Sequence, residues 1–185
     1  YNRLMLEEKV QKNPKRDKDI KIEQTAGAVL FRRKQGKILY LLLQYPQGHW
    51  AFPRGHIEEG EQVMDTVRRE IKEETGYTRM RFLPGYKEHI KFRYAWPPKS
   101  DNQEKRLKYA VFYLGQVFDG RVQISEEHKN FHWASYEKAR TMLKHKNMRT
   151  VLERAHASVT RRQKSDGKQL KQKNNDNSDT HRERA

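Results

Sequence analysis

Short apolar runs and one longer helical period alternate through the middle of the chain. Thr25–Phe31 (TAGAVLF) and Ile38–Gln44 (ILYLLLQ) are compact and partly β-branched, and the glycine-containing Arg32–Lys37 separates them, which predicts a hairpin of buried strands. From Gly60 the pattern changes. Val63, Met64, Val67 and Ile71 recur at spacings of three and four and Gly76 stands where a C-terminal glycine cap belongs, so a helix over about Glu61 to Thr75 is expected. Arg81–Pro84, Tyr86–Ala95, Tyr109–Val117 and His128–Ala134 read as further strands, rich in aromatic and β-branched residues. Ser135 suits the N-cap of a helix through Tyr136–Lys146, and Met148–Val159 makes another. Strands, helix, strands and helices without internal repeat predict one α+β domain.

The ends have a different character. Thr160–Ala185 carries a single large apolar residue, Leu170, and cannot offset the entropy of folding by burial, so a disordered basic tail is expected over 160–185. Residues 1–22 read as a polar, basic extension in which Leu4, Met5, Leu6 and Val10 form at most an amphipathic turn or two. The domain is therefore assigned to 23–159. No run approaches the ~20 apolar residues of a membrane span, and a cytoplasmic monomer without membrane contact is expected.

Charge narrows the partner. The chain of 185 residues has a formal charge of +16, which calls for a polyanionic substrate or partner. The tails do not account for all of it: 23–159 retains twenty-five Lys and Arg against sixteen Asp and Glu. With no cysteine in the chain, disulfides, thiolate metal sites and a cysteine nucleophile are excluded, and carboxylates and histidines remain as metal ligands.

The candidate chemistry lies in Gly55–Tyr77, GHIEEGEQVMDTVRREIKEETGY. On a helix Glu70, Glu73 and Glu74 stand at i, i+3 and i+4 and share one face, where like charges repel by roughly 0.2–0.5 kcal/mol per pair. A hard divalent cation would reverse that cost. A solvated helix whose glutamates are neutralised by Arg68, Arg69 and Lys72 is the plainer alternative. The wider spacing decides between them. Gly55, Glu61, Arg69, Glu70, Ile71, Glu73, Glu74 and Gly76 together resemble the Nudix box: glycine, five residues, glutamate, seven residues, then Arg-Glu-apolar-any-Glu-Glu-any-Gly-apolar. Tyr77 replaces the usual final aliphatic residue, a difference that touches packing and not chemistry. The resemblance implies an α/β/α sandwich with a mixed sheet over about Glu23 to Val159. It also implies a catalytic role for Glu73, Glu74 and Arg69, with Mg²⁺ or Mn²⁺ on Glu70, Glu73, Glu74 and the Gly55 carbonyl.

Upstream, His49-Trp-Ala-Phe-Pro-Arg54-Gly-His56 is similar to the polyphosphate-holding His, Lys, His of the animal and archaeal bis(5′-nucleosyl)-tetraphosphatases, with Arg54 in place of lysine. By the same resemblance Tyr94 and Phe131 would stack an adenine, Lys108 would touch the phosphate chain, and Glu127 would reach the metal site and serve the attacking water, with Glu126 its neighbour for comparison. Phe131 keeps the ring but not the hydroxyl of the usual tyrosine. The polar Trp96–Arg106 reads as an extended loop that could admit a longer polyanion.

The reading is metal-dependent hydrolysis of a nucleoside polyphosphate, diadenosine tetraphosphate to ATP and AMP. Removal of pyrophosphate from 5′-triphosphate RNA along the basic surface and tail is the enzymatic alternative. An RNA- or ribosome-binding module on a Nudix scaffold is the alternative of another class, against which the complete set of box glutamates argues.

Overall fold

The computed structural model describes residues 20–97, 104–118 and 120–163. The expected amphipathic turn near Leu4–Val10 and most of the expected tail lie outside them. Strands β1 (Lys21–Lys34) and β2 (Lys37–Gln44) form the expected antiparallel hairpin, with Phe31 opposite Tyr40. The chain continues through β3 (Trp50–Ala51), β4 (Arg54–His56), helix α1 (Val63–Thr75), β5 (Arg81–Trp96), β6 (Glu104–Gln116), β7 (Asn130–Ala134), helix α2 (Tyr136–Met142) and helix α3 over 146–163. The sheet order is β3-β2-β1-β6-β5, with β4 pairing β1 and β7 pairing β2. The β1–β6 ladder is parallel and the others antiparallel, so the sheet is mixed, as expected.

Alternation along β1 and β2 assigns the two faces. Ala28, Leu30, Leu41 and Leu43 pack with Val67 and Ile71 of α1. Val29, Phe31, Tyr40 and Leu42 pack instead with Ala139, Leu143, Val151, Leu152 and Ala155 from the segment of α2 and α3. Helices thus cover both faces. Two buried hydroxyls tie α3 down: Tyr86 donates to the Val151 carbonyl at 2.8 Å and the Tyr40 hydroxyl lies 2.8 Å from His156 Nδ1. Among the described residues no helix is long and apolar enough to cross a membrane.

The structure moves several boundaries. β1 starts at Lys21 because Lys21 and Ile22 continue the parallel ladder opposite Arg106 and Leu107. The two runs Arg81–Pro84 and Tyr86–Ala95 are one strand with a register shift between Phe82 and Lys87, where Gly85 takes φ of 78°. The expected loop Trp96–Arg106 is corrected at its ends, where Trp96 pairs Glu104 and Tyr94 pairs Arg106; 98–103 lie outside the described residues. α2 ends at Met142, short of Lys146, because Leu143 turns extended and buries completely. Arg149 then donates to the carbonyls of Leu143 and Lys144, at 3.0 and 2.8 Å, and satisfies acceptors that a continued helix would have used. The strand expected over His128–Ala134 begins at Asn130. α3 continues past Val159 to 163.

Candidate active site

Helix α1 begins without a side-chain cap at Gln62 and ends at Gly76, whose left-handed φ of 74° lets its N–H return to the Lys72 carbonyl at 2.9 Å. Burying Val67 and Ile71 fixes the rotation of the helix and turns Glu70 and Glu74 toward the sheet. Their side chains are 12% and 5% exposed, whereas Glu73 is 57% exposed at the rim. The three carboxylates therefore divide into an inward pair and an outer member.

Arg69 organises this edge. Its Nε and one terminal nitrogen donate to the two oxygens of Glu61, both at 2.9 Å, and the other terminal nitrogen reaches Glu70 at 2.6 Å and Glu73 at 3.2 Å. A further bond at 3.0 Å to the His56 carbonyl fastens β4. The Arg69 bonds, with Thr66 donating at 2.7 Å, pull the Glu61 carboxyl down to about 2. The inward pair behaves oppositely. Burial pushes the Glu70 carboxyl up in spite of Arg69, and burial with Glu70 alongside pushes Glu74 up to about 8.

β4 lies against this pair. The Arg54 backbone N–H donates to Glu74 at 2.9 Å and its guanidinium donates to the Tyr45 hydroxyl at 3.2 Å. Gly55 permits the close approach: a Cβ there would sit 1.9 Å from the Glu70 carboxyl group. Gly27 does the same one strand away, where a Cβ would meet the Pro53 carbonyl at 2.1 Å. His128 is buried with Nε2 3.4 Å from Glu74. Burial lowers its proton affinity, so it faces Glu74 as a neutral imidazole and not as an ion-pair partner.

A pocket of about 710 Å³ opens over these groups. It gathers Arg54, Gly55, His56, Arg69, Glu70, Glu73, Glu74, Lys108 and Glu127 from the sequence-based set, with Glu126 beside Glu127. His49 lies behind the lining, its ring stacked on Tyr45 at 5.0 Å, and burial, then Arg54, lowers its proton affinity. Tyr94 stands at the side, its ring 5.3 Å from the Lys108 ammonium. Phe131 is not brought in: it sits on β7, 37% exposed, with β2, β1 and β6 between it and the strand of Tyr94. Sequence reasoning missed Tyr45 and Thr25, which line the pocket, and Glu23 and Arg106. His128 opens the expected strand His128–Ala134, and nothing in the sequence marks the imidazole itself for the site. Tyr45 directly follows the apolar run of β2, and that position was its only signal.

The donor set fits a hard divalent ion. Glu74 is buried with Glu70 half-buried beside it, Arg69 reaches Glu70 but makes no bond to Glu74, and the cradle above Glu70 exists only because Gly55 has no side chain. Among the described residues no group of three or more histidine, aspartate or glutamate side chains is arranged to enclose an ion by itself.

Comparison with known proteins agrees with this geometry. The model of the family described as NUDIX domain matches residues 21–155. The chain is 33% identical over 138 residues to the asymmetrical bis(5′-nucleosyl)-tetraphosphatase of Caenorhabditis elegans, covering 74% of this chain and 96% of that protein. It is 30% identical over 142 residues to the enzyme of the same name from Sus scrofa, covering 70% and 90%. A binary complex of the C. elegans Ap4A hydrolase superposes with a TM-score of 0.64 at 30% identity, over 75% of this chain and 98% of that one.

Proposed function

The chain belongs to the Nudix family, and from that premise we propose that this Nudix hydrolase cleaves diadenosine tetraphosphate to ATP and AMP. The observation that carries the proposal is the division of one pocket into an acidic floor, Glu70 and Glu74 under Gly55, and a wall with the cations Arg54 and Lys108 beside the His56 imidazole. A metal-loaded phosphate chain needs both.

Nudix hydrolases need divalent metal ions. Mg²⁺ or Mn²⁺, when bound by Glu70, Glu73, Glu74, Glu127 and the Gly55 carbonyl, would supply charge neutralisation on non-bridging oxygens and an acidified water. The chain's own groups supply the rest. Arg54 presents a planar fork to the phosphates and Lys108 a point charge; the two offset the charge that gathers on the departing nucleotide, and the His56 ring hydrogen-bonds beside them. Arg69 keeps Glu70 and Glu73 from splaying by holding both while it is itself fixed on Glu61. Glu127, at the pocket edge, takes a proton from water as the new O–P bond forms and the bridging P–O bond breaks; Glu126 is the comparator for that role. Tyr94 offers a ring face for a base beside Lys108. Phe131 lies outside the lining and enters no step.

The test is turnover of diadenosine tetraphosphate with Mg²⁺ and identification of products by ion-exchange chromatography. ATP and AMP in equal amounts are expected, with activity lost on chelation and in Glu74→Gln. Two ADP, or undiminished turnover in Glu74→Gln, would overturn the proposal.

A further inference from the structure

Glu23 is a charged residue inside a strand and only 8% exposed. Burying a carboxylate is costly unless it is paired and hydrogen-bonded, and here the compensation comes from several directions. Arg106 approaches at 2.8 Å, Lys108 Nζ at 2.9 Å and His56 Nε2 at 3.2 Å, and the Tyr94 hydroxyl donates as well. Register explains the convergence. Glu23 pairs Lys108 across the parallel ladder, Tyr94 pairs Arg106 across the next, and Thr25, two residues from Glu23, pairs His56. With side chains alternating at period two, four strands deliver one carboxylate and its donors to the same patch.

Two of these donors, His56 and Lys108, line the pocket. A free lysine side chain loses rotamer entropy when a ligand fixes it. Lys108 is already fixed, held between Glu23 and the Tyr94 ring and 15% exposed. We infer that Glu23 is a positioning residue for substrate binding: it holds Lys108 and His56 in place for the phosphate chain, so that their ordering cost is met on folding and not on binding. The inference rests on the pocket receiving a phosphate chain, as proposed above. Glu23 touches no reacting atom, so its effect falls on affinity and not on the chemical step.

The test compares wild type with Glu23→Gln, which keeps shape and removes charge, in steady-state kinetics on diadenosine tetraphosphate. KM rises about tenfold with kcat within about twofold, the pattern of lost uniform binding. Glu23→Asp, which restores the charge one methylene short, recovers part of the loss. Because Glu23 acts through Lys108, adding Glu23→Gln to Lys108→Gln raises KM by less than half as much as in wild type. A strand-zipping role alone would lower the melting temperature and leave KM unchanged. An unchanged KM, a lowered KM, or fully additive effects in the double variant would overturn the inference. If Glu23→Gln does not fold, Glu23→Asp carries the same comparison. Calorimetric binding of inorganic tripolyphosphate in chelator separates the two claims. If wild type fails to cleave the dinucleotide, the functional reading falls, while a tenfold weaker tripolyphosphate affinity in Glu23→Gln still supports Glu23 and an equal affinity still refutes it.

Discussion

Glu74 makes stability depend on pH in a direction opposite to most paired carboxylates. The residue is buried, and its carboxyl is pushed from 4.5 up to about 8 by burial and by Glu70. Below pH 4.5 folded and unfolded chains both carry the proton and Glu74 exacts no penalty. Between pH 4.5 and 8 the unfolded chain releases the proton and the folded one keeps it, so stability falls with rising pH by about 1.4 kcal/mol per unit. Above pH 8 the full cost is present, on the order of 5 kcal/mol at most and roughly 2–3 kcal/mol after local relaxation. The assay is urea unfolding in chelator at pH 5.5, 7 and 8.5, for wild type and Glu74→Gln. Glu61, held down to about 2, contributes stability above its unfolded value that is lost as pH falls toward 2, and it does so in both proteins. Wild type should lose about 2 kcal/mol or more across this range relative to Glu74→Gln. Parallel curves would refute the view of Glu74 as a buried acid awaiting a cation. Added Mg²⁺ should restore wild type at pH 8.5 and leave Glu74→Gln much less affected.

Three further predictions follow from contacts. Gly55→Ala places a Cβ 1.9 Å from the Glu70 carboxyl group; kcat should fall about 100-fold or more with circular dichroism unchanged, because a displacement near 1 Å is that costly. Arg69→Lys cannot satisfy Glu61, Glu70 and the His56 carbonyl together. It should destabilise by about 2–4 kcal/mol in chemical denaturation and lower kcat as well. Tyr40→Phe removes the 2.8 Å contact with His156 on the helix face remote from the pocket, and should cost about 1 kcal/mol of stability with kcat/KM unchanged.

Helix α1 is legible in the sequence because its apolar period and its glycine stop agree, and Val67 and Ile71 are buried as that period requires. The glutamate spacing likewise places Glu70 and Glu74 at one pocket. Helical spacing alone does not set which carboxylates turn inward; packing of α1 on β1 does, and leaves Glu73 at the rim. The start of β6 is hidden because Glu104, Lys105 and Arg106 have strand geometry without strand composition, held by ladder bonds and by the ion pairs of Arg106 with Glu23 and Glu104. Glu23 is hidden for the complementary reason: a carboxylate in a strand shows its meaning only when three other strands bring its partners. The early end of α2 is hidden because helical period continues through Leu143, while the core demands that residue in an extended turn.

The most direct measurement of the central claim offers diadenosine tetraphosphate and a 5′-triphosphate RNA to the enzyme in one reaction with Mg²⁺ and follows both products. A pocket with an acidic floor and a cationic wall sized for a short phosphate chain should give the dinucleotide at least tenfold higher kcat/KM. Faster release of pyrophosphate from the RNA would contradict it.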